Sequence, residues 1–130
     1  VTSGLIDYVR DDDELAAVVA HEMAHNLLDH RPLIEATKSG KAKVIKATEA
    51  EADRLSVWLM ANAGYDPEAA ISFWQRYGKA TGLGIFSAPT HYRWQTRVAM
   101  LQQEIDQIAA LPVASTPQDP PLLAAHRAQK

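Results

Sequence analysis

Asp11–His30 reads DDDELAAVVAHEMAHNLLDH. Three consecutive aspartates sit where the positive end of a helix dipole favours carboxylates, and the run behind them is rich in Ala, Leu, Val and Met with no Gly or Pro. The pattern predicts a helix from Glu14 to about Asp29, ended by His30-Arg31-Pro32, because the residue before a proline is pushed out of the α region. On that helix His21 and His25 stand four residues apart and therefore share one face. Glu22 lies just round the cylinder, within reach of a water held between the rings but not aimed at the same point. This is the H-E-x-x-H arrangement, in which two histidines hold a zinc ion and the glutamate serves as general base.

A catalytic zinc takes three protein ligands and keeps one position open. A third histidine ten residues after the first, preceded by a glycine, is ruled out by register, since Leu28 and Arg31 occupy those places. His30 falls one residue short and reads as a helix C-terminal histidine held there by the dipole. The segment Thr48–Ser56, TEAEADRLS, offers carboxylates instead. Glu49 and Asp53 are an i, i+4 pair on one face, with Glu51 turned away. Glu49 is thus expected as a ligand, Asp53 as an acceptor behind it that fixes a ligand histidine's tautomer, and Glu51 as cap and surface charge.

Outward from this core, 130 residues with 47% hydrophobic content predict one domain with a real core. A net charge of −3 gives no basic footprint for nucleic acid. Cysteine is absent, so any metal must rest on His, Asp or Glu. No apolar run is long enough to span a membrane. The opening VTSGLIDYV reads as the cut end of a strand, so the chain is expected to be a piece of a longer protein. Residues 35–46 are polar and lysine-rich, predicting a mobile connection or a frayed helix end with a solvated lysine face. Thr48 with Glu51 forms a capping box for a second helix closed by Gly64. Asp66-Pro67 begins a third helix running to about Tyr77. Gly78, Gly82, Gly84 and Pro89 bracket a loop, after which Thr90 caps a fourth helix with Trp94, Val98, Leu101, Ile105 and Ile108 at helical spacing. Trp58, Trp74 and Trp94 with Phe73, Leu55, Leu59 and Ile71 are expected as core. Residues 112–130 read as a proline-rich, disordered tail beyond a domain of residues 1–111.

DDELAAVVAHEMAH followed by EAEADRLS resembles the gluzincin metallopeptidases of the HtpX and CaaX-prenyl-endopeptidase type, with BepA-like and Oma-type relatives. FSAPTHYRWQTR is similar to that family's S-T-H-P-x(4)-R segment, with Tyr92 in place of the proline. The resemblance implies one zinc ion per chain on His21, His25 and Glu49, Asp53 behind them, and His91 and Arg97 as further active-site residues, His91 as zinc cap or oxyanion stabiliser. Tyr65, Tyr77 and Tyr92 are other candidate oxyanion donors. It further implies a protein or peptide substrate, no nucleic acid, and a bacterial envelope setting in which membrane association would come through other parts of the parent. The expected fold is mainly α, a single domain of about four helices forming a zincin-like core fragment with the family's strands missing or minimal. The expected activity is zinc-dependent endopeptidase hydrolysis; the alternative is a capped zinc-binding module acting in protein interaction or chaperoning.

Overall fold

The computed structural model describes residues 3–81, 93–111 and 119–129. Among these the chain is helical: α1 (Ser3–Ile6), α2 (Asp12–Leu27), α3 (His30–Ala36), α4 (Lys41–Asn62), α5 (Glu68–Thr81), α6 (Trp94–Ala109) and α7 (Pro121–Ala128). The four long ones, α2, α4, α5 and α6, form a single mainly helical domain. In it α2 packs on α4 and α5, and α6 closes against both of those. Among the described residues no strand occurs, and the opening read as a strand end is the short helix α1.

Helix α2 begins as its acids require. Extended Asp11 caps it by accepting the Glu14 N–H at 2.9 Å. Glu14 itself is buried at 1% exposure. Its carboxylate accepts from the Arg10 backbone N–H at 2.9 Å, from Ser72 Oγ at 3.1 Å and from Arg76 Nη1 at 2.8 Å. The same Arg76 donates to the carbonyl of Tyr8, so the start of α2 is bound to both α5 and the segment before it. Ala17, Val18, Ala20 and Ala24 then pack inward with Leu55, Val57, Met60, Phe73 and Leu101.

Several boundaries differ from the expected ones. Helix α2 stops at Leu27 rather than at the proline, and Asp29 adopts a left-handed conformation with φ 55. The chain then restarts at once as α3, and Pro32 lies in its first turn, where a missing N–H costs little. The lysine-rich stretch is largely helix, since α4 starts at Lys41 after Gly40 with φ 68. Thr48 consequently lies inside α4, buried, with its hydroxyl donating to the Ile45 carbonyl at 2.7 Å instead of capping. Gly64 does close α4: at φ 88 it makes a Schellman turn, with Tyr65 N–H to Met60 O at 2.9 Å and Gly64 N–H to Ala61 O at 3.1 Å.

Asp66 accepts the Glu68 N–H at 3.0 Å ahead of α5. That helix continues through Gly78, which is buried where a Cβ would overlap the Cβ of Trp94. The glycine is thus a packing residue for the α5–α6 crossing, not a helix breaker. Trp58, Trp74, Phe73 and Leu55 are core as expected, with Leu59 and Ile71 packed at its edge. Trp94 is half-buried beside Lys79, whose ammonium lies 5.4 Å from its ring centre. The proposed cap Thr90 falls outside the described residues. The tail expectation gives way over 121–128, where α7 folds onto α4 and buries Leu123; Pro121 in its first turn is compatible with helix. No described helix is long and apolar enough to cross a membrane.

Candidate metal centre

Helix α2 presents His21 and His25 toward α4, which presents Glu49. His21 Nε2 lies 3.1 Å from Glu49 Oε2, His25 Nε2 3.1 Å from Glu49 Oε1, and the two ring nitrogens are 3.2 Å apart. These are the three side chains, among the described residues, whose donor atoms cluster closely enough to hold one ion. The donor set suits a zinc-sized cation. Bonds of ~2.0–2.1 Å in a tetrahedron put neighbouring ligand atoms about 3.3 Å apart, close to the 3.2 Å between the two ring nitrogens and the 3.1 Å from each to its nearer carboxylate oxygen. Two imidazole lone pairs and a carboxylate turned on one point also repel unless a proton or cation lies between them. His21 is buried, whereas the side chains of His25 and Glu49 are each 20% exposed, so solvent reaches the site on their side.

Without a cation, protons take that role. Burial opposes charge on His21, but the carboxylates of Asp53 and Glu49 outweigh it and raise its pKa to about 9. Burial likewise acts to raise the Glu49 pKa, and the two facing histidines override it and hold the carboxyl well below its ordinary range.

Each histidine is backed by a different chain of groups. His21 Nδ1 lies 3.0 Å from Asp53 Oδ1; the contact is short but not aligned as a straight hydrogen bond, and this nitrogen has no better partner. Asp53 is wholly buried and accepts two bonds from Arg97, at 2.8 Å from Nε and 2.8 Å from Nη2. The guanidinium carbon stacks 3.7 Å from the ring centre of Trp74, which also packs at 5.6 Å against the His21 ring. Burial works against the Asp53 charge, and Arg97 and His21 overcome it, leaving its pKa lowered.

Behind His25 the arrangement is one the sequence did not suggest. His25 Nδ1 lies 2.9 Å from His30 Nδ1, and His30 Nε2 lies 3.0 Å from Glu51 Oε1. His30 is therefore not a solvent-facing dipole partner but a buried link, and Glu51 is not a cap. The left-handed turn at Asp29 swings His30 back beneath His25. The signal available in the sequence was a titratable pair, His30 just after the motif and Glu51 between Glu49 and Asp53 on the partner helix.

Of the other expected residues, Glu22 is half-buried on α2, one residue after His21. Arg97 meets the site through Asp53, with Trp74 stacked between it and the His21 ring. His91 and Tyr92 lie outside the described residues. Tyr77 packs edge-on against Tyr8 and Trp74, and Tyr65 is exposed beyond α4.

Comparison with known proteins bears on this geometry. The model of peptidase family M48 matches residues 1–35 and 31–105. The chain is 28% identical to the mitochondrial metalloendopeptidase OMA1 of Arabidopsis thaliana, an alignment covering 79% of this chain and 27% of that protein. It is 27% identical to the protein of the same name from Schizosaccharomyces pombe, over 79% of this chain and 40% of the relative. It thus spans well under half the length of these relatives. No solved structure matches significantly.

Proposed function

The chain belongs to peptidase family M48, and from that premise we propose that it is the zinc-binding catalytic core of an endopeptidase that hydrolyses peptide bonds in protein substrates. The observation that carries the reading is the meeting of His21, His25 and Glu49 donor atoms at 3.1–3.2 Å, with Glu22 on the same helical turn. A zinc ion held by these three side chains would supply Lewis acidity to a water and to the scissile carbonyl. Glu22 takes the proton from the attacking water on its carboxylate and returns it to the nitrogen of the departing amine. Asp53 holds His21 with its Nε2 turned to the site, and Arg97 holds Asp53, a positioning role rather than contact with substrate. The partly exposed side at His25 and Glu49 is where a carbonyl would enter.

The test has two readouts. Zinc content measured by mass spectrometry is expected at one ion per wild-type chain, retained in Glu22→Gln and lost in His25→Ala. Casein hydrolysis, assayed on this chain and on a longer protein containing it, is expected to fall by about 10²–10⁴ in Glu22→Gln. Wild-type cleavage by Glu22→Gln would remove the endopeptidase and leave a zinc-binding module acting in protein interaction or chaperoning.

A further inference from the structure

We propose that His30 and Glu51 are positioning residues that fix the tautomer and ring orientation of His25. The inference rests on the zinc reading above and concerns side chains that the motif does not include. An ionised carboxylate only accepts hydrogen bonds. Glu51 Oε1 at 3.0 Å therefore requires a hydrogen on His30 Nε2, which in the neutral imidazole leaves Nδ1 of that ring bare. Bare Nδ1, 2.9 Å from His25 Nδ1, can only accept, so His25 carries its hydrogen there. His25 Nε2 is then left with a lone pair facing His21 and Glu49, as a metal ligand requires. Reversing the chain, with His30 donating to His25, would put hydrogen on His25 Nε2 and close that position to a cation.

The relay is mechanically held as well as electronically consistent. His30 is 2% exposed, and its ring meets that of His25 edge-on at 5.1 Å between centres. Both of its nitrogens are engaged within the relay. The turn that places it runs through left-handed Asp29, whose carboxylate is met at 2.8 Å by His126 of α7.

The decisive experiment measures zinc affinity by competition with a chromophoric chelator, together with the visible spectrum of the cobalt-substituted protein. The variants are His30→Leu, His30→Asn and Glu51→Ala. Helical circular dichroism and thermal midpoints of the metal-free forms report folding. His30→Leu is expected to lose about 10–100-fold in zinc affinity and to shift the cobalt bands. His30→Asn, whose amide oxygen can stand where Nδ1 stood, is expected to recover most of the affinity. Glu51→Ala is expected to fall between them. A folded His30→Leu that binds zinc as tightly as wild type overturns the proposal. Should His30→Leu not fold, Glu51→Ala decides, and unchanged affinity and spectrum there overturn it equally. A wild-type chain that binds no zinc is a distinct result: it removes the metal site itself, and the relay with it.

Discussion

The two histidines of one helical turn are held by supports of opposite character. Behind His21 stands a charged pair, wholly buried Asp53 with nearly buried Arg97, roofed by Trp74. Behind His25 stands a single imidazole, His30, and beyond it a carboxylate at the surface, where the Glu51 side chain is 43% exposed. The first support is rigid and costly, since two charges have lost their hydration and depend on each other. The second is adjustable, because water shares its terminal carboxylate. The difference teaches that matching histidines on one face need not be equivalent in energy: one side of the site is built into the core and the other hangs from its rim.

Breaking the buried support should have the largest effect. Asp53→Ala leaves Arg97 uncompensated in the core and is expected to cost about 3–5 kcal/mol in urea unfolding of the metal-free protein. Adding Arg97→Met should recover part of that loss, because the orphaned charge goes with it.

Glu14 sharpens the comparison, being a buried carboxylate paired with arginine but remote from the histidines. Its partner Arg76 is the largest influence, outweighing burial, and the pKa is lowered from 4.5 to about 2. The folded state therefore binds the proton less readily than the unfolded chain. Its contribution is fully present above pH 4.5 and is lost as pH falls toward 2. The full shift corresponds to about 3 kcal/mol. Unfolding free energy followed from pH 5 downward should show this loss, and Glu14→Gln should flatten the slope in that window. Any acid sensitivity left in Glu14→Gln then belongs to the carboxylates at the site.

At the rim the expected effects are small. Glu51→Ala should change stability by no more than about 1 kcal/mol, because its charge is already shared with solvent. The same substitution should be plain in zinc affinity, and that separation of the two readouts marks a tuning group. His126→Ala, removing the contact to Asp29, should be smaller still, within about 1 kcal/mol and weaker at high salt. A His126 effect as large as that of Asp53→Ala would erase the distinction between core and rim.

The parts of this arrangement that could be read from the sequence are those set by helical period. His21 and His25 on one face, Glu49 and Asp53 on another, the Gly64 stop and the Asp66 start all follow from spacing within one element. What escaped depends on a turn between elements. Nothing in D-H-R-P announces that Asp29 will take a left-handed conformation, yet that one backbone state converts His30 from an end-of-helix charge into a buried relay. Thr48 and Gly78 were misread for a related reason: each looks like punctuation by residue type. Tertiary packing instead absorbs each into a helix, the hydroxyl by bonding a carbonyl one turn back, the glycine by letting Trp94 approach. In α7 the prolines stand at or before the first helical residue and Leu123 has a place in the core, so a composition suited to disorder still yields a docked segment.

The contact between Asp29 and His126 joins positions 97 apart in sequence, and that between Asp53 and Arg97 joins positions 44 apart. His21, His25 and Glu49, by comparison, belong to neighbouring helices α2 and α4. Closing short loops costs less entropy than closing long ones, and local contacts form earlier. During synthesis on the ribosome the donor trio can therefore come together before α6 and α7 have been translated. If the trio takes a metal as proposed, its capture is then open to the nascent chain, and the later helices would lock donors that have already met.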